Sequence, residues 1–242
     1  MDYKLEICAN SIESALAAES GGADRIELCE NMAEGGTTPS YGTIKRCKDL
    51  LKIPVFPIIR PRGGDFVYTE EEFEVMKTDV QMCKDLGCEG VVVGILKEDG
   101  TIDKERCAEL IALARPMQVT FHRAFDCCID MKKGLEDIIS LGCARVLTSG
   151  GAVHAYEGMD VIKDLVEQAG GRIIVMAGSG VNRDNVKEVM VSNKVREIHS
   201  TAKSIVRFKG IFKNSAGISQ DYYQTRQKSV QYIKNIIISG VE

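Results

Sequence analysis

Short apolar runs rich in valine, isoleucine and leucine alternate with longer amphipathic stretches along the whole chain. Short runs bounded by turn residues are typical of buried strands, and longer stretches with a helical spacing of apolar positions are typical of surface helices. Eight strands are predicted, at residues 3–8, 24–29, 54–60, 89–95, 117–123, 144–149, 172–178 and 195–200. Each precedes a predicted helix, and the helices lie near residues 11–20, 42–50, 70–86, 103–114, 131–141, 156–169, 182–191 and 219–239.

Eight strand–helix units in 242 residues predict an α/β fold, the (β/α)8 or TIM barrel, which typically needs ~250 residues. We expect residues 1–242 to form one domain, because no linker or low-complexity segment interrupts the units. A doubly wound open sheet is the alternative. That fold requires a glycine-rich turn after the first strand, and residues 9–14 read A-N-S-I-E-S instead.

Composition narrows the classes of function. The net charge of −4 and the pI of about 5.6 argue against nucleic-acid binding. No apolar run approaches the ~20 residues of a membrane span, and the N-terminus lacks the apolar stretch of a signal peptide, so a soluble, cytoplasmic protein is expected. The nine cysteines, an odd number without a C-x-x-C pair, are expected to be reduced thiols.

Two short segments repeat one pattern, L-E-I-C-A-N at 5–10 and I-E-L-C-E-N at 26–31. Side chains alternate along a barrel strand, so one set faces the surrounding helices and the other faces the interior. The aliphatic residues belong to the helix-facing layer, which must be apolar. Near the strand ends, where barrel enzymes carry their active sites, four side chains are therefore predicted to point inward: Glu6, Cys8, Glu27 and Cys29.

The same alternation places three more polar residues inside, namely His122 on the fifth strand, His199 on the eighth and Arg60 at the end of the third. Buried charges are costly unless they are paired, so such a cluster at the mouth indicates a site. Neighbouring carboxylates suit general acid–base catalysis or cation binding. The alternative is a structural plug, in which Arg60 neutralises Glu6 and Glu27 without any chemistry.

Two loops add candidate ligand contacts. Residues 60–68 read R-P-R-G-G-D-F-V-Y, and the guanidinium of Arg62 could bind a carboxylate or phosphate there, or pair with Asp65 in the same loop. After the fifth strand, Arg123 and Asp126 are expected at the mouth, where Asp126 could orient the histidine that precedes them.

Glycine-rich turns follow the sixth and seventh strands. Ser149 and Gly150 begin the first, S-G-G, and Gly178, Ser179 and Gly180 form the second. Glycine lets the backbone approach a ligand closely, and barrels often bind phosphate at the loops after the seventh and eighth strands. Tight strand–helix turns also favour glycine, so a binding loop and a plain turn are both compatible with these residues.

Several longer motifs together resemble the CutC family, the copper homeostasis proteins, from the first strand to about residue 199. These motifs are E-I-C, A-D-R-I-E-L-C-E-N, E-G-G-T-T-P-S, I-R-P-R-G-G-D-F-V-Y, V-T-F-H-R-A-F-D and R-V-L-T-S-G-G. The resemblance implies a cytoplasmic TIM barrel that often forms a homo-oligomer, a dimer or tetramer, and that is linked to copper. It also implies Cu(I) ligands at Cys8 and Cys29.

The residues support two functional hypotheses. In the first, the barrel binds Cu(I) through the paired cysteines, because Cu(I) prefers soft thiolates. In the second, it is an enzyme for a small anionic or sugar-like substrate, which Arg60, Arg62 and the glycine turns would position. Proton chemistry would then fall to Glu6, Glu27, His122 and His199. No cofactor other than copper is expected, and the lack of an H-x-H or H-E-x-x-H motif argues against a conventional zinc hydrolase site.

Overall fold

Eight parallel strands form the centre of the computed structural model, which describes residues 3–211, 215–217 and 219–239. They are β1 (Lys4–Ala9), β2 (Arg25–Leu28), β3 (Val55–Pro57), β4 (Gly90–Val93), β5 (Gln118–Phe121), β6 (Arg145–Thr148), β7 (Ile174–Ala177) and β8 (Glu197–Ser200). Each overlaps its predicted segment, and the TIM-barrel prediction is confirmed.

Hydrogen bonding joins the strands in the order β3-β2-β1-β8-β7-β6-β5-β4. The two ends of this order, β3 and β4, meet through a parallel bridge between Ile58 and Val92. The N–H of Ile59 donates to the carbonyl oxygen of Val92 at 2.8 Å in the same place. The barrel is therefore closed, and the C-terminal ends of all eight strands meet at one mouth.

In the described part of the chain, eight α-helices surround the barrel. They are α1 (Ile12–Ser20), α2 (Tyr41–Leu50), α3 (Glu70–Asp85), α4 (Lys104–Ala114), α5 (Met131–Leu141), α6 (Met159–Ala169), α7 (Val186–Asn193) and α8 (Gln227–Ser239). At the start of α3, Thr69 and Glu72 exchange side-chain to backbone hydrogen bonds in a capping box. Among the described residues, no helix is long and apolar enough to cross a membrane.

The last unit departs from the predicted strand–helix pattern. β9 (Lys203–Val206) and β10 (Tyr222–Thr225) form an antiparallel pair, and α8 begins at Gln227 rather than near 219. The predicted helix begins too early, because Tyr222, Tyr223 and Thr225 favour strands and form β10 instead of the start of the helix. Since β9 follows directly from β8, the hairpin stands beside the barrel mouth.

The helix-facing layer of the barrel is apolar, as the alternation predicts. Leu5 and Ile7 of β1, Ile26 and Leu28 of β2, and Ile198 of β8 are at most 1% exposed. Because these side chains occupy one face of each strand, the intervening residues must point into the barrel. The polar residues of the interior follow from this packing.

Candidate functional site

Four charged side chains form a closed cluster inside the barrel, here called the floor cluster: Glu6, Arg25, Arg145 and Glu197. Arg25 donates from Nε to Glu6 and from Nη2 to Glu197, the latter at 2.5 Å. Arg145 donates from Nε to Glu197 at 3.2 Å and from Nη2 to Gln118 at 2.8 Å. Two positive and two negative groups balance one another, as burial in the barrel requires.

The prediction that Glu6 lies at the mouth needs correction. Glu6 is 1% exposed and lies below the cavity, because β1 and β2 pair with Cys8 opposite Glu27 and with Glu6 opposite Arg25. A residue two positions earlier on a strand lies ~6–7 Å deeper. The two glutamates of the sequence repeat therefore stand at different heights, and Arg25, not Arg60, pairs with the deeper one.

Sequence reasoning missed three members of the floor cluster: Arg25, Arg145 and Glu197. The signal was present, because Arg25 shares a strand face with Glu27, and Glu197 shares one with His199. Alternation applied to every strand residue, including the first of each strand, finds these charges.

A row of polar groups leads from the floor cluster to the mouth, here called the Glu6–His199–Glu27 row. Nδ1 of His199 lies 2.8 Å from Oε1 of Glu6, and Nε2 of His199 lies 3.7 Å from Oε2 of Glu27. All three side chains are buried. The row connects the paired charges of the barrel interior to groups that face the cavity.

The members of this row differ in proton affinity. Burial alone would raise the pKa of Glu6, but Arg25 and His199 lower it to about 2. Burial raises the pKa of Glu27, despite the opposing charge of His199. Burial lowers the pKa of His199, yet the two glutamates raise it above its ordinary value overall. Glu6 is thus held as a carboxylate, whereas Glu27 keeps its proton more readily.

Cys8 and Cys29 meet beside the row, with their Sγ atoms 3.3 Å apart. Both are free and buried, and the separation exceeds the ~2.05 Å of a disulfide bond. The hydrogen bond with Cys29 and burial raise the pKa of Cys8 well above its usual range. The predicted pairing of the two thiols is thus present in the geometry.

The row and the thiols open into a cavity of about 740 Å³, here called the mouth cavity. Its size lies in the range of small-molecule sites. Apolar side chains, among them Met32, Ile58 and Phe66, form part of the wall. The polar residues that line it include Cys8, Glu27, Cys29, Arg60, His122 and His199. Glu6 is the member of the predicted catalytic set that does not line the cavity.

Arg60 and His122 occupy the cavity wall without a carboxylate partner among the described residues. The guanidinium of Arg60 donates to the backbone carbonyls of Glu34, Gly36 and Gly64, at 2.7–2.8 Å. Nδ1 of His122 accepts from the N–H of Ala124 at 3.1 Å, and its buried Nε2 has no hydrogen-bond partner among the residues that the structure describes. Burial and the charge of Arg60 lower the pKa of His122 to about 3, so the imidazole is neutral, with its proton on Nε2.

Arg62 and Asp65 lie outside the mouth cavity. Arg62 donates to Asp65 at 3.0 Å and to Glu72 at 2.6 Å, and it also bonds the carbonyl oxygen of Val67. Its donors are satisfied within the loop and the first turn of α3. The structure thus favours the alternative in which Arg62 and Asp65 pair with each other, and does not bring them to the candidate site.

Asp126 fills the turn after β6 that was a candidate anion site. Its carboxylate accepts from the N–H of Ser149 at 3.0 Å, from the N–H of Gly151 at 3.1 Å and from Oγ1 of Thr148 at 2.5 Å. Arg123 adds a bond from Nε at 2.8 Å. The protein's own carboxylate therefore occupies these donors, and Asp126 organises the loop instead of orienting a histidine.

The same network accounts for the other predicted residues of this turn. Gly150 adopts a φ of 71° and presses against the backbone of Gly158, where an added Cβ would lie 2.4 Å from a carbonyl oxygen. Ser149 Oγ donates to the carbonyl oxygen of Ala152 at 2.6 Å. Ser149 and Gly150 thus serve the turn rather than the cavity.

The three predicted residues of the turn after β7 have two different roles, in packing and in lining the cavity. Gly178 leaves room for its neighbours, because an added Cβ would lie 2.6 Å from Leu147 and 2.9 Å from His199. Ser179 and Gly180 have φ values of 80° and 68° and line the mouth cavity. Gly178 is therefore a packing position, whereas the next two residues stand where a ligand could reach them.

Comparison with known proteins identifies relatives over nearly the whole chain. The CutC family model matches residues 3–204. The copper homeostasis protein cutC homolog of Homo sapiens is 47% identical over 240 residues, which cover 97% of this chain and 88% of the human protein. The family protein CutC of Chromobacterium violaceum is 45% identical over 240 residues, covering 97% and 96%.

A solved structure of a CutC protein from Streptococcus agalactiae has a TM-score of 0.79 and 35% identity to this chain. The alignment covers 82% of this chain and 98% of that one. Thiamine phosphate pyrophosphorylase from Pyrococcus furiosus, at 16% identity and a TM-score of 0.64, shares the fold alone. By sequence and by structure, the chain belongs to the CutC family.

Proposed function

We propose that this protein is an enzyme that binds a small anionic molecule in the mouth cavity and transfers protons to or from it. One observation carries the proposal: Arg60 and His122, both buried, line the cavity without a carboxylate partner in the described part of the chain, while the floor cluster beneath them is fully paired. A protein that only needed to fill its barrel would gain little from such groups at a solvent-filled opening.

Arg60 supplies a fixed positive charge. Three backbone carbonyls accept hydrogen bonds from its guanidinium. The guanidinium carbon lies 4.9 Å from the centre of the Phe66 ring in a cation–π contact. Carbonyl dipoles orient the group but do not cancel its charge. An anionic ligand, such as a carboxylate or phosphate group, is the counter-ion that this arrangement favours.

His122 supplies a neutral hydrogen-bond donor. Its Nδ1 accepts from a backbone N–H, which leaves the proton on Nε2, and no described residue accepts a hydrogen bond from Nε2. A neutral imidazole in this state can polarise a carbonyl or phosphoryl oxygen without carrying a charge of its own. We assign His122 the role of contacting a substrate oxygen, and not that of a base.

Proton transfer falls to the mouth end of the Glu6–His199–Glu27 row. Glu27 lines the cavity, and His199 stands between it and Glu6 at 3.7 and 2.8 Å. Such a row can pass a proton between a substrate and the interior while the floor cluster keeps Glu6 ionised. Glu6 is accordingly a positioning residue, because it does not reach the cavity.

The proposal is tested by a thermal-shift screen of phosphorylated and carboxylated metabolites, followed by NMR of each stabilising compound with the protein to detect turnover. Arg60→Met should abolish the stabilisation. Arg62→Met is the matched control, because Arg62 lies in the same loop but outside the cavity. Arg60→Lys, which keeps the charge, covers the case in which the methionine variant folds poorly. A screen without stabilising anions, or without turnover of those found, would rule the enzyme out.

A second candidate function is Cu(I) binding by Cys8 and Cys29. The two soft donors 3.3 Å apart favour it, as does the copper homeostasis name of the relatives. The donors fit Cu(I) in type. With metal–sulfur bonds of ~2.3 Å, the zinc–thiolate value, a linear site would require the sulfurs to move apart. Anaerobic competition against a Cu(I) chelator tests it: the Cys8→Ser, Cys29→Ser double variant should lose affinity, whereas Cys127→Ser, at an exposed thiol, should not.

The remaining expectations concern location and assembly. Nine free cysteines, seven of them buried, support a reducing compartment such as the cytoplasm. Formation of a dimer or tetramer stays a prediction, and sedimentation of the purified protein measures it directly.

A further inference from the structure

Three donor atoms of different chemistry meet where the Glu6–His199–Glu27 row enters the mouth cavity. A thiol of Cys8, a carboxylate oxygen of Glu27 and an imidazole nitrogen of His199 all lie within 4.8 Å of one another, and all three residues are buried. We infer that this trio, here called the Cys8–Glu27–His199 site, binds one divalent transition-metal ion of the zinc class.

The spacing is close to that of a four-coordinate ion. Zinc bonds of ~2.0–2.3 Å at tetrahedral angles place ligand atoms ~3.3–3.6 Å apart. Nε2 of His199 and Oε2 of Glu27 are 3.7 Å apart. The Sγ of Cys8 lies within 4.8 Å of the other two ligand atoms, so rotation of the side chains would bring the three donors to this spacing. The strand register supports this, because Cys8 and Glu27 are direct partners of β1 and β2.

The surroundings of His199 match those of a metal-binding histidine. Its Nδ1 is 2.8 Å from Glu6, so this nitrogen donates to the carboxylate and the lone pair of Nε2 faces Glu27 and the cavity. Carboxylate–histidine–metal arrangements of this kind fix the tautomer and orientation of ligating histidines. Arg25 in turn holds Glu6. The floor cluster thus acts as the outer support of the site.

Charge balance favours a divalent cation. A Cys8 thiolate and a Glu27 carboxylate carry two negative charges, which a divalent ion neutralises with a neutral His199. Among the described residues, His199 is the ion-pair partner of Glu27, since Arg25 bonds Glu6 and Glu197 and Arg60 bonds backbone carbonyls. A divalent ion bound here would therefore balance the charges of Cys8 and Glu27 while His199 stays neutral.

Three protein ligands beside a cavity are typical of a catalytic zinc site, which keeps a fourth position for water or substrate. All three ligands line the mouth cavity, as do Arg60 and His122. The inference rests on the proposed function in this respect: the ion and the anionic substrate would share the cavity, and metal-bound water would take up the proton transfer assigned to the row. The ligands come from β1, β2 and β8, which is why a search for a local zinc motif does not find them.

Cys8 belongs both to this site and to the thiol pair, and this sharing makes the two distinguishable. A zinc-class ion needs Glu27 and His199 but not Cys29, whereas Cu(I) at the thiols needs Cys29 but neither of the other two. The decisive experiment uses metal-free protein in anaerobic, reducing buffer. Zinc(II) is titrated in competition with a chromophoric chelator, and bound zinc is counted by elemental mass spectrometry after gel filtration.

We expect one zinc per chain in the wild type. Outer-sphere partners of zinc are worth 10–100-fold in affinity, so loss of a ligand in Glu27→Gln or His199→Gln should weaken binding by at least ~100-fold. Cys29→Ser is the matched control and should keep zinc affinity within a few-fold. Cobalt(II) in place of zinc should give a thiolate-to-metal absorption band that disappears in Cys8→Ser and persists in Cys29→Ser.

Lack of stoichiometric zinc in the wild type overturns the inference, and so does zinc that survives His199→Gln but is lost in Cys29→Ser. The cobalt spectrum of the wild type decides the matter even where a ligand variant folds poorly, as its melting temperature would reveal. Zinc binding without any stabilising metabolite would leave the site standing and remove the proposed function. Metabolite turnover by protein that does not take up zinc would leave the proposed function standing and remove the site.

Discussion

The floor cluster and the mouth cavity contain the same kinds of side chain in opposite states. At the floor, Arg25 and Arg145 are bonded to Glu6 and Glu197, and the group is closed. At the mouth, Arg60 has carbonyl partners and no carboxylate among the described residues. The difference shows that the barrel interior can pair buried charges with one another, and it supports the proposal that the unpaired groups at the mouth bind a ligand.

The largest effect on stability that tests this comparison is expected when one ion pair of the floor cluster is removed. Arg25→Met leaves Glu6 and Glu197 buried without their shared partner, and removing one member of a buried ion pair typically costs ~3–5 kcal/mol. We expect a loss of that size in the free energy of unfolding, measured by urea denaturation. Arg60→Met, which leaves no buried carboxylate behind, should cost clearly less. Equal costs for the two variants would erase the proposed distinction between floor and mouth.

The next effect concerns pH and the mouth. His122 is buried and neutral, with a pKa of about 3 against an ordinary value of 6.5. Between these two values the unfolded chain binds a proton that the native state does not, so stability falls as the pH is lowered from about 6.5 towards 3. The loss attributable to His122 between neutral pH and about pH 4 is up to ~3 kcal/mol.

Urea denaturation at both pH values, in wild type and His122→Gln, measures this contribution. The variant should lose less stability on acidification. The difference between the two proteins in the lost free energy of unfolding isolates His122 from the carboxylates that titrate in the same range. The groups that face this imidazole are Arg60, Phe66 and Phe121, and of these Arg60 is charged. Parallel pH profiles for the two proteins would mean that His122 is solvated or paired in solution.

A smaller effect sharpens the description of the floor as one unit. Arg25→Met and Glu197→Gln each disturb the cluster, but together they remove one positive and one negative group. The double variant should therefore be more stable than the sum of the single losses predicts, by ~1–3 kcal/mol. A double-mutant cycle in urea measures this coupling energy. Strict additivity would show that the two groups are independently solvated.

The sequence could predict the barrel and the identity of most cavity residues, because alternation along strands is a local property. It could not predict the height of Glu6, since height depends on the register of β1 and β2, with Cys8 opposite Glu27. It also could not predict that Asp126 fills the turn after β6, because that contact joins residues 22–25 positions apart. Non-local pairing, not composition, decides which polar groups remain free for a ligand.

The smallest expected effect is at the protein surface, where short hydrogen bonds do not imply a large contribution to stability. Arg172 donates two bonds to Glu136, at 2.7 and 2.8 Å, and these are shorter than the 3.2 Å bond between Arg145 and Glu197. Arg172→Met should nevertheless leave the urea midpoint near that of wild type, because exposed ion pairs are screened by water and salt. Arg145→Met should shift it substantially. If the surface variant shifted the midpoint as much as the buried one, burial would not be what distinguishes the floor cluster. The contrast between the floor cluster and the mouth cavity would then have to rest on binding measurements alone.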